Sequence, residues 1–279
     1  MRLSLFAAAS FLAVTPYTAY AQDDYEDWGD GPPGRLSFSV LIAVSESEVV
    51  LTDSEVSLPE DISLGDFEVT LAEEVEVSNT FVGASVGYRV LDFLQLNAQG
   101  GFVSTTSDIG LQINGTPADT FPINFNEPIS LEREVSTSAE GYSLGVGATG
   151  LLPVASIGDS MLLGYVSYQH LWNEFSDDGI SVDIGRVSAG ILFPFSPLQE
   201  DKPVFRFGAS YLDTKRTLER GVEFGGEEVM VRAIQEMEDP WFGEIGIAFP
   251  ASRHVLLNVG ASVQTTGNVS ILGSITIRP

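Results

Sequence analysis

The chain ends in "HVLLNVGASVQTTGNVSILGSITIRP", a segment in which apolar and small polar residues alternate with a period of two. Nearly every odd position is apolar, from Val255 to Val263 and again from Val269 to Ile277, whereas most even positions hold Asn, Gly, Ser, Gln or Thr. Successive side chains of a β-strand point to opposite faces, so the segment predicts two strands that each have one apolar face. An amphipathic helix would instead repeat its apolar residues every three or four positions.

The same alternation recurs along most of the chain, at residues 36–45, in a hairpin at 82–102 and at 141–149. The polar face of these segments is built from Gly, Ser, Asn, Gln and Thr, with few charges. The outward face of a soluble sheet usually carries Lys and Glu, whereas a narrow wet barrel interior suits small uncharged side chains. The pattern favours an all-β fold, a transmembrane antiparallel up-and-down β-barrel. A soluble secreted β-sandwich is the alternative.

The alternating segments predict about ten strands, with eight to twelve possible. The segments not yet named are 160–174, 180–195, 203–217, 229–249, 254–265 and 268–278. Short periplasmic turns are expected near 91–92, 153–159, 196–202 and 250–253. The outer connections are expected to be long at 46–78 and 107–134 and modest at 175–179 and 218–228. Within 180–195 the apolar positions change phase between Ile184 and Gly185, which predicts a β-bulge.

The N-terminal region divides the chain into three parts. Residues 1–21 combine the basic Arg2, an apolar run and the triplet Ala19-Tyr20-Ala21, which predicts a signal peptide removed before Gln22. Residues 22–34, "QDDYEDWGDGPPG", hold five acids with Gly and Pro and predict a disordered acidic periplasmic N-terminus. The barrel is then expected to occupy residues 35–279.

Acidic residues dominate the charge. The formal net charge is −26, and it becomes −27 when Arg2 leaves with the signal peptide. Such a field repels nucleic acid, and the absence of cysteine excludes disulfides and thiolate metal sites. Residues 46–78 hold eleven acids and no base, so they cannot lie in lipid. They are expected to extend the first two strands above the membrane, or to add a hairpin that makes the strand count twelve.

The last strand and the overall pattern carry a resemblance. Alternate positions before the end hold Ile271, Gly273, Ile275 and Ile277. With the alternation described above, the chain resembles the small Gram-negative outer-membrane β-barrels, a group that includes OmpA-like and porin-like proteins. The resemblance covers nearly the whole mature chain and identifies no specific family. Members of the group usually end on an aromatic residue, where this chain has Pro279. The resemblance implies outer-membrane lipid and the outer-membrane insertion machinery as partners, and the bacterial outer membrane as location.

Aromatic residues of such barrels gather where the strands cross the membrane interfaces. Several aromatics of this chain fall near predicted periplasmic turns or strand ends. They predict an inner girdle made of Tyr88, Phe93, Phe193, Phe195, Phe205, Trp241 and Phe249.

Four charged residues fall on the polar phase of their strands: Arg89, Arg186, Arg206 and Glu244. An unpaired charge inside a narrow barrel is costly, so these side chains are expected to form ion pairs and hydrogen bonds. A network that spans the lumen would plug it. Arginines along one wall would instead form a constriction that prefers anions.

Signals for catalysis and for metal binding are missing from the sequence. The two histidines, His170 and His254, are scattered, and neither belongs to the Asp-His pair that a ten-stranded protease family uses. We therefore predict no catalytic residue, no metal site and no cofactor, and hence no enzyme activity. Weakly bound divalent cations and small solutes stay open as ligands because carboxylates are abundant.

These patterns together predict a monomeric outer-membrane barrel with a structural role or a role as a narrow pore for small solutes or ions. The alternative is a surface interaction or adhesion protein that acts through the acidic outer segments 46–78 and 107–134.

Overall fold

The computed structural model describes most of the chain after residue 34. The described residues are 35–57, 65–71, 74–117, 129–157, 160–176, 180–194, 203–224, 227–237, 239–252, 254–265 and 268–278. The predicted signal peptide and acidic N-terminus, and with them Phe195, lie outside the described residues. No helix in the described ranges has the length and apolar character needed to cross a bilayer.

Nearly all the described residues lie in β-strands. The twelve strands are β1 (Leu36–Ser57), β2 (Gly65–Leu71), β3 (Glu74–Leu91), β4 (Leu94–Pro117), β5 (Ile129–Ile157), β6 (Ser160–Phe175), β7 (Ile180–Pro194), β8 (Val204–Phe224), β9 (Glu227–Met237), β10 (Trp241–Ser252), β11 (Val255–Gln264) and β12 (Val269–Ile277).

Ten of these strands close into a barrel. The ring runs β1-β3-β4-β5-β6-β7-β8-β10-β11-β12, and β12 pairs with β1 through the register Phe38↔Ile277 to Val44↔Ile271. Every neighbouring pair is antiparallel. The all-β fold class and the count of ten are confirmed, and β2 and β9 are two additional strands.

The segment 46–78 extends the first two strands of the ring, as predicted. β1 continues to Ser57, and β2 continues the line of β3, because β4 pairs with β3 up to Glu76↔Asp108 and with β2 from Leu71↔Leu111 onward. The expectation of a loop over 107–134 is wrong for much of that range. β4 runs to Pro117 and β5 starts at Ile129, since each is the other's pairing partner along this length.

The single strand expected at 229–249 is two strands. β9 pairs with β8 and with the outer part of β1, whereas β10 pairs with β8 and β11. The reason is the short β11–β12 hairpin, which occupies the place between β10 and β1 only in the lower part of the barrel. Beyond that hairpin the ring closes directly through β9 and β1, with the register starting at Val49↔Met237, and contains eight strands.

An apolar belt surrounds the ten-stranded part. Its exposed side chains include Phe38, Val40, Ile42, Val82, Val86, Leu96, Phe102, Leu144, Val166, Phe207, Ile245, Val259, Ile271 and Ile275. The inward positions between them are mostly small and polar, among them Ser39, Ser85, Asn97, Gln99, Ser143, Ser188, Ser210, Ser262 and Thr276. A closed antiparallel ring that is apolar outside and polar inside is the architecture of bacterial outer-membrane barrels.

The two faces exchange character at the outer edge of this belt. On β7, Val187 and Ile191 are exposed outside the barrel, but nearer the outer end Ile180 is buried inside and Asp183 is exposed outside. The β-bulge expected at Ile184 is wrong, because the pairing of β7 with both neighbours continues there without a register shift. The sequence pattern changes because the environment changes: above the belt, water lies outside and an apolar core lies inside.

The two larger apolar clusters of the described residues lie inside the barrel. The outer apolar cluster consists of Leu41, Ala43, Val49, Val75, Val77, Phe81, Val103, Ala139, Phe175, Ile180 and Leu272. The periplasmic apolar cluster consists of Leu151, Leu163, Tyr165, Leu192, Val204, Ala248 and Leu256.

Candidate functional site

Three of the four charged residues expected in the lumen lie together inside the barrel. Arg186 on β7, Arg206 on β8 and Glu244 on β10 are only 3%, 5% and 2% exposed. They meet because β8 pairs with both β7 and β10, which places inward positions of the three strands side by side. We name these three residues the charge layer.

Glu244 is the centre of the charge layer. Its Oε1 forms an ion pair and accepts a hydrogen bond from Nη2 of Arg186. Nη2 of Arg206 lies 3.5 Å from its Oε2. The Ser188 hydroxyl donates to Oε1 at 3.3 Å, and the Tyr165 hydroxyl donates to Oε2 at 3.2 Å. Four side chains from three other strands therefore stabilise one buried carboxylate.

Serine hydroxyls also fix the position of the Arg186 guanidinium. Its Nε donates to Ser188 at 3.0 Å and its Nη2 to Ser210 at 2.8 Å. Sequence reasoning named neither serine nor Tyr165 as part of the site. The alternation of the strands could have identified both serines. Ser188 is two residues from Arg186 and Ser210 is four residues from Arg206, so each serine is expected on the same inward face as its arginine.

Tyr165 on β6 reaches Glu244 across a gap made by glycines. Gly190 on β7 and Gly208 on β8 are paired, and a Cβ at Gly190 would lie 2.7 Å from Cε1 of Tyr165. A Cβ added at Gly208 would collide with the Tyr165 hydroxyl. The Arg206 guanidinium lies over the other part of this ring, 5.9 Å from its centroid. The missing side chains leave the volume that the tyrosine ring occupies.

The described interior carries an excess of positive charge. Its buried charged residues are Arg186, Arg206, Arg216 and Glu244, three guanidinium groups against one carboxylate. The whole chain, in contrast, has a net charge of −26. Among the described buried side chains, positive charges therefore exceed negative charges by two.

Arg89 is not part of the charge layer. It is partly exposed near the periplasmic end of β3, where its backbone N–H donates to the Arg35 carbonyl at 2.8 Å. Arg278, just past β12, lies close to it, and burial together with the Arg89 charge lowers the pKa of Arg278 to about 10. The structure therefore separates Arg89 from the other three residues and places it in a basic group at the periplasmic rim.

The aromatic residues occupy both edges of the belt. Tyr88, Phe93 and Phe249 are exposed at the periplasmic end, and Phe193 pairs there with Phe205. Trp241 was expected in the same girdle, but β10 begins with it at the opposite, outer end. It packs there against Tyr211 at a ring distance of 5.2 Å, because β9 ends at Met237 and Trp241 is the first residue of β10.

The outer edge has its own aromatic girdle, which sequence reasoning missed. Its exposed members are Phe102, Tyr142, Trp172, Tyr211 and Trp241. The rings of Phe102 and Tyr142 on adjacent strands are 5.3 Å apart. These residues had the required apolar phase, but their height on the barrel depends on strand tilt and register.

His170 lies on β6 next to the outer girdle, with its ring 4.5 Å from that of Trp172. In the part of the chain that the structure describes, no group of three or more His, Cys, Asp or Glu side chains is placed to hold a metal ion. The absence of enzyme activity stays a prediction from the sequence.

No family model and no curated protein sequence matches the chain. Among solved structures, the chain is similar to the toluene transporter TbuX of Ralstonia pickettii, with 11% identity, coverage of 89% of this chain and 90% of that chain, and a TM-score of 0.35. It is also similar to the transport unit of the autotransporter AIDA-I from Escherichia coli, with 13% identity, coverage of 94% and 98%, and a TM-score of 0.33. For OmpT, an outer membrane protein of Vibrio cholerae, the identity is 9%, the coverage is 91% and 100%, and the TM-score is 0.24. Similarity at this level concerns the barrel fold alone.

Proposed function

We propose that this outer-membrane barrel is closed inside and has a membrane-structural role, with the charge layer acting as a plug. The observation that carries the proposal is the connection of Tyr165, Arg186, Arg206 and Glu244 across four strands, β6, β7, β8 and β10. A constriction that selects ions needs charged groups along an open wall, whereas here the charged groups are used to bind one another.

Two further features support closure. The outer and periplasmic apolar clusters lie inside the same barrel, and an ion cannot enter an apolar layer without losing its hydration. On another side of the interior, Gln169 on β6 donates to Gln99 on β4 at 2.8 Å, and both side chains are buried. Interiors of small barrels are commonly filled by their own side chains in this way.

The decisive experiment is conductance of the refolded mature chain, Gln22 to Pro279, in a planar lipid bilayer with a salt gradient. A closed barrel inserts without stable current steps, and insertion is verified by its faster migration on a detergent gel before heating. Heat-modifiable migration also rejects the soluble sandwich. Stable steps with a defined ion preference in the unmodified chain would reject the plug.

Arg206→Ala distinguishes a charge layer that plugs the barrel from one that lines an open pore. In a plugged barrel the variant raises background leakage without a defined ion preference, because one of the two arginines that hold Glu244 is gone. In an open pore it lowers the anion preference and leaves the step size similar. Arg232→Ala, at an exposed position of β9, is the matched control and should change neither quantity.

A surface-interaction role is the second candidate, because the barrel wall continues well beyond the belt. β2, β4 and β5 form one three-stranded extension, and β1, β8 and β9 form another. Replacing residues 51–71 by a short turn should leave heat-modifiable migration intact. Loss of adherence by cells that display this variant, relative to cells that display the full chain, would favour this candidate over the structural role.

A further inference from the structure

A second buried polar group lies apart from the charge layer. Arg216 on β8 is 4% exposed and Gln235 on β9 is 1% exposed, and the two residues are directly paired across the strands. Along β8, Arg216 follows Arg206 by ten residues toward the outer end. The pair therefore lies on the outer side of the plug, in the part of the barrel that closes through eight strands.

This group has hydrogen-bonding atoms without partners among the described residues. They are Nε and Nη1 of Arg216 and both Nε2 and Oε1 of Gln235. Within the described part of the chain, the guanidinium makes one long hydrogen bond, from Nη2 to the Ser107 hydroxyl at 3.4 Å. Ser107 is on β4, which lies opposite β8 in the eight-stranded ring, so the arginine side chain crosses the interior.

A guanidinium in this position is costly unless something neutralises it. Burial lowers the pKa of Arg216 to about 10, which still leaves the group charged at neutral pH. Glu244 is already shared by two other arginines, and among the described side chains no carboxylate contributes to the shift in the pKa of Arg216. Buried charges in proteins are paired or bound to a counter-ion, and buried amides are hydrogen-bonded.

We propose that Arg216 and Gln235 form a binding site for a small carboxylate on the outer side of the charge layer. Nη1 of Arg216 and Nε2 of Gln235 are donors without partners, and each can serve one oxygen of a carboxylate. Gln235 Oε1 is an acceptor in the same group, so it can accept from a hydroxyl on the carbon next to the carboxylate. The chemical class is a 2-hydroxy carboxylic acid. The site does not depend on whether the barrel conducts.

The test is isothermal titration of the refolded barrel with lactate and with propionate, at constant ionic strength set with sodium chloride. These acids differ by the hydroxyl group alone. Both should bind with saturation, and lactate should bind about tenfold more tightly, the factor expected for one hydrogen bond of about 1.4 kcal/mol. Chloride at the same concentration should not displace them.

Variants assign the binding to the two residues. Arg216→Gln should abolish binding of both acids, and Gln235→Leu should remove the difference between lactate and propionate. Arg232→Gln, at an exposed position of β9, should bind both acids as the unmodified chain does. If Arg216→Gln does not fold, the titrations of Gln235→Leu and of the unmodified chain still test whether the site binds a 2-hydroxy carboxylate.

Three outcomes would overturn the proposal. The first is absence of saturable binding to the unmodified chain, which would mean that water alone solvates Arg216 and Gln235. The second is equal binding of chloride, which would indicate a general response to anions. The third is unchanged binding in Arg216→Gln, which would place the ligand elsewhere on the barrel.

Discussion

The hydroxyl of Tyr165 on β6 donates a hydrogen bond of 3.2 Å to Oε2 of Glu244 on β10, and so links strands that are three places apart in the ring. Both residues are at least 97% buried. A contact of this length across the interior means that the barrel is not an empty cylinder at this height. The same residues are therefore expected to determine both the stability of the barrel and its closure, so the same variants can test both.

Glu244→Gln should destabilise the barrel by about 3–5 kcal/mol, because it leaves the buried guanidinium groups of Arg186 and Arg206 without a carboxylate. The measurement is the urea midpoint of the protein refolded in lipid vesicles. Glu174→Gln, at an exposed outward position of β6, is the control and should leave the midpoint nearly unchanged. Equal midpoints for the two variants would contradict the assignment of Glu244 as the centre of the network.

Tyr165→Phe should lower the free energy of unfolding by about 1.5–3 kcal/mol, the range for a hydrogen bond to a charged group, with little change in packing. Tyr168→Phe on the same strand removes a hydroxyl from an outward side chain that is 52% exposed and should have a much smaller effect. Urea midpoints again provide the comparison. A larger effect at Tyr168 would mean that the two faces of β6 had been exchanged.

Gly208→Ala should destabilise the barrel by about 1–3 kcal/mol, because overpacking forces neighbouring groups to move. The added methyl group would displace the Tyr165 hydroxyl and would lie 2.7 Å from the Ala189 carbonyl oxygen. Gly243→Ala is the matched control, since the nearest atom to its Cβ is the Val263 carbonyl oxygen at 3.8 Å. A neutral Gly208→Ala would show that Tyr165 does not need the space above Gly208.

Asp239 should make stability sensitive to acid. The hydrogen bond from the Thr265 hydroxyl, with that from the Trp241 backbone N–H, lowers the pKa of Asp239. A lowered folded-state pKa contributes stability above the unfolded value of about 3.9, and this contribution is lost as the pH falls through the folded value. The urea midpoint of the unmodified chain should therefore exceed that of Asp239→Asn by its largest amount near neutral pH, and this difference should shrink below about pH 4.

Asp213→Asn, at an exposed outward position of β8, is the control for this pH dependence. A difference for Asp239→Asn that stays constant down to pH 2 would show that the hydrogen bonds act through geometry and not through the charge.

The outer aromatic girdle can be located by fluorescence. Trp172 and Trp241 are 45% and 55% exposed on the outside of the barrel, and Trp28 is the third tryptophan of the chain. In Trp28→Phe, lipids brominated near the head group should quench the remaining emission more strongly than lipids brominated near the chain end. Stronger quenching by the deeper bromine would place both residues in the middle of the membrane.

Sequence alone determined the fold class and the sorting of side chains between the two faces. Alternation such as that from Val255 to Val263 depends only on the pleat of the backbone, so it can be read without knowledge of any neighbour. The same rule placed Arg186, Arg206 and Glu244 on the inward face. It did not say which of them would meet, and it gave no sign that Arg89, on the same phase, lies near the periplasmic end of β3 and outside the charge layer.

Tertiary structure alone decided how high on the barrel each side chain lies and which side chains it contacts. Trp241 is at the outer edge because β9, which pairs with β1, ends at Met237 and a new strand, β10, begins at Trp241, and no local pattern encodes that change. The phase change at Ile184 came from the membrane boundary, whose height on β7 follows from strand tilt and register. Tyr165 reaches Glu244 only because glycines on two intervening strands are paired, which is a relation between residues far apart in the chain. Contacts across a barrel are set by the shear of the whole ring, which a single strand does not record.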